Sequence, residues 1–200
     1  MSPDEVRAAD AERRSRLTPE RQGELFGAVV ELLREVGYEA LTMDAVAARA
    51  RISKATLYRQ WQGKPRLVIH AMSTLRPMYP DVDTGSLAGD LYAVAAHMAE
   101  VATEDAPLMA SMSHSVIANP ELGEMLREVV IRPERASFEA LVQRAVDRGE
   151  LGSLPAAVEF CVPILVQAVL NRPLCDGIDA DEAHLLGIVD HVILPALRHS

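Results

Sequence analysis

The chain has 200 residues, 49% apolar and 24% charged, with a formal charge of −9 at neutral pH. The apolar share is too high for an intrinsically disordered chain, and 12 prolines with 11 glycines are too few for a low-complexity one. With only one Trp, four Tyr and three Phe, any core is built from Ala, Val, Leu, Ile and Met, a palette that favours packed helices over sheet.

Residues 1–17 are polar, mix Arg with acid and lack the apolar centre of a signal peptide, so they are expected to form a flexible tail. Thr18-Pro19 is a helix start, with a hydroxyl cap and a proline at the first helical position. Leu25, Phe26, Val29, Val30, Leu32, Leu33 and Val36 follow with a helical period, and Gly37 supplies the stop. Thr42 caps a short second helix over 43–50, with Asp44 favouring its dipole. Ser53 caps a third, from Lys54 to about Trp61, and Pro65 opens a fourth that runs towards Met78. Pro77, Pro80 and Gly85 mark a linker.

Beyond it, helices are expected over 87–103, 107–118, 121–131, 134–148, 156–170 and 181–197. Pro133 either divides one long helix or merely kinks it. The longest nearly charge-free run, 160–171, falls short of the ~20 residues a membrane span needs. Cys161 and Cys175 stand apart with no C-x-x-C, as buried thiols of a reducing cytosol would. No period-2 run is long enough for a strand. The fold class is all-α, with a tail over 1–17, a first domain over 18–78 and a larger second domain over 79–200.

Charge is unevenly placed. Residues 1–78 carry 13 basic and 10 acidic side chains, whereas 79–200 carry 7 and 19. Between residues 45 and 80 there are seven bases (Arg49, Arg51, Lys54, Arg59, Lys64, Arg66, Arg76) and no acid, and the chain's only two lysines are among them. A basic segment on an acidic chain is the footprint of a local nucleic-acid contact, although a charge bias alone fits a solvated face equally well.

The side chains of 42–64 decide between the two. Two short helices joined by a tight turn cross at a wide angle only if the residue at the contact is small. Ala47 is that residue, Ile52 plugs the turn, and Leu57, Val46 and Ala50 complete the inner face. Lys54, Ala55, Thr56, Tyr58, Arg59 and Gln60 then project outward from the third helix. Cations and helix-end amides suit phosphates, amide and guanidinium groups suit base edges, and small groups suit thymine methyls.

The pattern Gly37-Tyr38-x-x-Leu41-Thr42-x-x-x-Val46-Ala47-x-x-Ala50-x-Ile52-Ser53-Lys54-Ala55-Thr56-Leu57-Tyr58-x-x-Trp61-x-x-Lys64-x-x-Leu67 resembles the DNA-binding domain of tetracycline-repressor-like regulators. The match spans 18–78. The resemblance implies a homodimer of all-α subunits, each with an N-terminal three-helix helix–turn–helix domain and a larger α-helical domain for ligand binding and dimerisation. It implies a repressor released from double-stranded operator DNA by a small-molecule effector, with no cofactor or metal. Carried over residue by residue, it assigns Thr42 and Tyr58 to phosphates, Lys64 to the backbone, and Lys54, Ala55, Thr56, Arg59 and Gln60 to the groove, with Ser53 at the cap. Trp61 belongs to the core. One position departs: the turn residue is normally glycine and here is Arg51, at a cost of about 1 kcal/mol if its φ is positive. Arg51 then either remodels the turn or gains a phosphate contact.

In a dimer, two reading heads meet successive grooves only if they sit about 34 Å apart or a multiple of that. An effector favouring another separation weakens binding, with the fourth helix as the lever.

The second half is less informative. Met98, Met109, Met112, His114, Phe138 and Phe160 could line an adaptable pocket or simply fill the core. The pocket the resemblance implies is mostly apolar. The apolar helices over 158–170 and 185–197 carry more apolar surface than one small domain's exterior holds. They are expected to pair across a four-helix dimer interface through Val162, Leu165, Val169, Leu185, Ile188, Val189, Val192 and Ile193.

An enzyme is not indicated. Asp181-Glu182-Ala183-His184 spells a helicase-like tetrapeptide without any phosphate loop, and the histidines show no metal-ligand spacing. The rival reading is a helical ligand- or protein-binding module that has lost DNA binding, with Arg51 as its one hint. A cytoplasmic location without membrane contact is expected.

Overall fold

The computed structural model describes residues 17–75 and 82–199, apart from the side chains at 103–107 and 109–111; most of the predicted tail, and the linker residues Pro77, Met78 and Pro80, lie outside it. Helix α1 (Pro19–Ala40) starts as the sequence predicts, with the Thr18 hydroxyl accepting from the Arg21 N–H at 3.3 Å. Gly37, at φ 74°, breaks the helix before its last turn. Short helices α2 (Met43–Arg49) and α3 (Lys54–Trp61) follow, capped by Thr42 and Ser53 through bonds of 3.1 Å from Ala45 N–H and Thr56 N–H. Helix α4 (Lys64–Leu75) then lies along α1.

The remainder is also helical: α5 (Leu87–Ala118), α6 (Pro120–Leu126), α7 (Arg132–Asp147), α8 (Val158–Asp176), α9 (Glu182–Ile188) and α10 (Leu194–His199). Pro107 does not divide α5, which runs through it as one helix of 32 residues. A π turn over Arg127–Ile131 joins α6 to α7, and a second over Val189–Ile193 joins α9 to α10. Each lies just ahead of a proline, Pro133 or Pro195. A proline ring collides with the carbonyl four residues back, and a turn widened by one residue moves that carbonyl aside. The N–H of Arg132 accordingly reaches Arg127 O, and that of Leu194 reaches Val189 O, each five residues back. Pro133 therefore leaves one continuous rod.

The apolar side chains form two cores. One gathers Leu87, Leu91, Val94, Met98 and Phe138 with Leu165, Leu185 and Ile193 from α5, α7, α8, α9 and the second π turn. The other holds the buried faces of α1 to α4 and also Leu108, Met112 and Leu122 from α5 and α6. The predicted boundary near residue 78 therefore does not coincide with the boundary between cores. Among the described residues, α8 is long and apolar enough to cross a membrane, a longer stretch than the charge-free run alone suggests. Yet Cys161, Val162, Leu165 and Val169 bury one of its faces against the rest of the chain.

Polar bonds fasten the start of α5. Asp90 is fully buried and accepts from Thr84 N–H at 2.6 Å, from the Thr84 hydroxyl at 2.7 Å and from Arg148 at 3.3 Å. Glu150 accepts the Leu87 N–H at 2.9 Å and Arg148 Nε at 2.7 Å. A Cβ at Gly89 would strike the Thr84 hydroxyl, so glycine is required there. Burial alone would raise the Asp90 carboxyl; the bonds from Thr84 and Arg148 outweigh it and hold the group below its ordinary value of 3.8. A depressed carboxylate contributes stability above the unfolded-state value and loses it as pH falls through the folded one. Asp90→Ala is expected to cost about 3 kcal/mol at pH 7, the cost of breaking a buried pair. Its deficit should shrink as urea melts are repeated at pH below 4; a constant deficit would refute the assignment.

Candidate nucleic-acid interface

Helix α3 stands at the corner of the head. Leu57, Val46, Ala47 and Ala50 are buried beneath it, and Ile52 is half-buried in the turn, as the sequence predicts. Trp61 packs into the core, its ring 5.2 Å from Phe26 at 60° and 5.2 Å from His70. Burial, then the Arg66 charge, pushes the His70 pKa down, which favours the neutral ring in the stack.

Thr42, Arg51, Ser53, Lys54, Ala55, Tyr58 and Arg59 are exposed on one side of the head, and Thr56 and Gln60 are half-buried among them. Tyr58 is 51% exposed, high for an aromatic ring with a core beside it. The α3 sequence contains no acid. The Lys54 ammonium nevertheless lies 2.6 Å from the Asp44 carboxylate of α2, an exposed pair that solvent screens.

Arg51 has φ 52°, so the turn keeps the left-handed conformation that favours glycine and is not remodelled. Ile52 N–H donates to Ala47 O at 3.0 Å. Arg21, which sequence reasoning missed, braces the turn from α1: its Nη2 lies 3.3 Å from Ala50 O and 3.4 Å from Arg51 O.

Among the described residues of the acid-free segment, Arg49 and Lys64 are engaged within the chain. Arg49 makes a two-pronged pair with Glu35, at 2.7 and 3.0 Å, and reaches Glu31 at 3.4 Å, tying α2 to α1. Its hydrogen bond holds the Glu35 carboxyl below the usual range. Lys64, expected to grip the DNA backbone, is bonded within the chain. Its ammonium donates to Tyr38 O at 2.9 Å and to Glu39 O at 3.4 Å, and lies 4.2 Å over the Tyr38 ring. The carbonyls left open where α1 breaks at Gly37 attract it there. Burial, with Glu39 and Glu121 nearby, pushes the Tyr38 hydroxyl up to about 12.

A cavity of about 300 Å³ lies between head and body. Its walls include Val30, Ile69 and Met72 from the head together with Met112, Val130 and Val166 from the body. Of the pocket residues expected from sequence, Met112 is the one on this wall. Met98 and Phe138 belong to the core of the body, His114 and Phe160 are exposed, and the Met109 side chain lies outside the described residues.

The expected dimer residues also need correction. Val162, Leu165, Val169, Leu185, Val189 and Ile193 are buried in the subunit's own core, Ile188 packs against it, and only Val192 is well exposed, at 39%. What α8 turns outward is a line of Phe160, Ile164, Gln167, Asn171 and Leu174, spaced alternately four and three apart. Leu174 is 83% exposed and Phe160 57%. Both faces of α8 are apolar, so periodicity could not say which was internal. The helicase-like tetrapeptide is a helix cap, Asp181 accepting from His184 N–H at 2.9 Å.

An all-helical fold of the described residues, with the acid-free helix α3 presented from a helix–turn–helix head, defines the class as DNA-binding regulators. Family models agree: residues 25–71 match the bacterial regulatory proteins of the tetR family, and 81–192 the tetracyclin repressor-like C-terminal domain. An uncharacterized HTH-type transcriptional regulator of Mycobacterium tuberculosis is 33% identical over 90% of this chain and 89% of its own. A DNA-binding transcriptional repressor, TetR, of Mycobacteroides abscessus is 30% identical over 89% and 94%. The solved TetR family transcription regulator SCO0332 superposes with a TM-score of 0.68 at 26% identity, over 87% of this chain and 97% of that one. The chain belongs to the tetracycline-repressor-like family of transcriptional regulators.

Because Arg51 holds a positive φ, Arg51→Gly should stabilise the protein by up to ~1 kcal/mol in urea denaturation. An unchanged or lowered midpoint would show that the turn carries no such strain.

Proposed function

We propose that the protein is a cytoplasmic homodimeric repressor that grips operator DNA with α3 and lets go when a small apolar effector fills the cavity between head and body. The observation that carries the DNA contact is the exposed row Lys54, Ala55, Tyr58 and Arg59 on a helix without acid, with the caps of α2 and α3 beside it. Thr42, Ser53, Arg51 and Tyr58 take phosphates; Thr56, Arg59 and Gln60 face base edges. Lys54 exchanges Asp44 for a phosphate, an exchange whose net cost is small because the pair is exposed. Arg51 no longer hints at a head without DNA binding, because it adopts the turn's ordinary conformation.

Dimerisation uses the outward line of α8, together with the exposed Val192. A four-three spacing is that of a helix seam, and Gln167 and Asn171 within it set register against a second copy. Two copies joined there hold their heads at a fixed separation, which must match about 34 Å or a multiple of it on B-DNA. Of the elements bordering the cavity, α4 belongs to the head and packs on α6 and the first π turn. A ligand that moves those walls moves the head, and DNA affinity falls by the ligand's differential affinity for the two arrangements.

Fluorescence anisotropy on duplexes from the region upstream of the protein's own gene tests the contact. Lys54→Ala is expected to weaken all duplexes alike and to flatten the salt slope by about one unit, whereas Arg59→Ala should cost about 1–3 kcal/mol on the preferred duplex only. Wild-type binding by both variants would refute the interface.

Ile164→Asp should yield monomers in sedimentation at micromolar concentration. Leu165→Ala should leave the dimer intact while lowering stability by about 2–5 kcal/mol, as core truncations do. The reverse result would return the interface to the opposite face of α8.

A further inference from the structure

One helix serves two surfaces. On α8, Val166 and Leu170 line the cavity between head and body. Gln167 and Asn171, the next residue in each case, belong to the exposed line that also holds Phe160, Ile164 and Leu174. Successive residues of a helix stand about 100° apart, so the cavity wall and the exposed line are neighbouring strips of one cylinder. The two strips also join. Residues four apart form a ridge along a helix, and the ridge Val166, Leu170, Leu174 starts in the cavity and ends in solvent, with Leu174 83% exposed.

The stretch that carries both strips is bracketed by Pro163 and Pro173. Neither ring can donate a backbone hydrogen bond, so side-chain packing has a larger share in holding the helix there. Packing is complete on the core side, where Cys161, Val162, Leu165 and Val169 are buried. It is incomplete on the other two strips. An empty cavity gives Val166 and Leu170 no partner atoms on one side, and in a single subunit the apolar side chains of the exposed line face water. A ligand in the cavity fixes one open strip and a second copy of the chain fixes the other, so whatever order one imposes on α8 the other need not impose. A copy seated on Leu174 also stands at the edge of the cavity beside Leu170, where it shields the apolar end of a ligand from water.

We propose that effector binding and self-association form one linked equilibrium: a second copy of this chain completes the cavity along α8, and a filled cavity tightens the dimer. The effector then moves the heads of an intact pair instead of separating the subunits. This deepens the readings of the cavity and of the dimer face and rests on both.

Octanol, an uncharged apolar chain used below its solubility limit, is the probe. In fluorescence-detected sedimentation of the full chain over a dilution series, saturating octanol is expected to lower the dimer dissociation constant at least ~10-fold. Linkage fixes the ligand side as well. With one cavity in each subunit of the pair, a monomer must bind octanol at least ~3-fold more weakly than the dimer does. Isothermal titration of Ile164→Asp reads this, and Ile164 is not among the described cavity residues. Leu174→Ser, at an exposed position, serves should that variant fail to fold. Unchanged self-association with octanol bound, and equal octanol affinity of dimer and monomer, would overturn the linkage while leaving the cavity and the dimer face in place. A dimer weakened by octanol would overturn it too. If octanol binds neither form, the cavity reading falls with the linkage; if neither variant is monomeric, the dimer face falls with it.

Discussion

Helix α4 is gripped from two sides, and the rest of the molecule is arranged around that fact. Leu67, Val68, Ile69 and Ala71 are fully buried, facing α1 within the head and α6 with its π turn in the body. Leu108, Met112 and Leu122 extend the head's core into the body without a break. Close-packed interiors do not deform smoothly, so α4 cannot shift against one neighbour while keeping its fit to the other. The cavity opens along this seam, where a change of volume bears on both sides.

Rigidity elsewhere makes that seam the soft place. Arg21 and the Arg49 pair with Glu35 hold α2 and the turn against α1, so the reading surface moves as one body with it. Lys64 closes the broken end of α1 and thereby fixes the start of α4. In the body, the buried Asp90 and its partners Thr84 and Arg148 pin the beginning of α5 to the end of α7. The π turn ahead of Pro133 is a different kind of joint. It keeps α6 and α7 continuous while offering a widened turn at the cavity wall.

Charge serves two purposes within one short segment. Arg49 and Lys64 make internal bonds, Lys54 shares Asp44, and Arg51, Arg59 and Arg66 face outward on an otherwise acidic molecule. The acidic body repels phosphates, so a duplex can approach only where the head presents its acid-free helix.

Local chemistry settled much of this from the sequence alone. Hydroxyl caps, Gly37, the small Ala47 and the apolar period of α1 each act within a few residues of their own position, which is why the helices of the head and the exposure of Lys54, Tyr58 and Arg59 were legible. The direction of long-range contacts was not. Glu31 and Glu35 stand 18 and 14 residues from Arg49, so only folding could bring them to it. Nothing local distinguishes the two apolar faces of α8, and their neighbours turned Val162, Leu165 and Val169 inward and Phe160, Ile164 and Leu174 outward. The cavity belongs to neither half alone: its walls come from α1, α4, α5, α6, the first π turn, α7 and α8, and such a space exists only once separate segments pack imperfectly against one another.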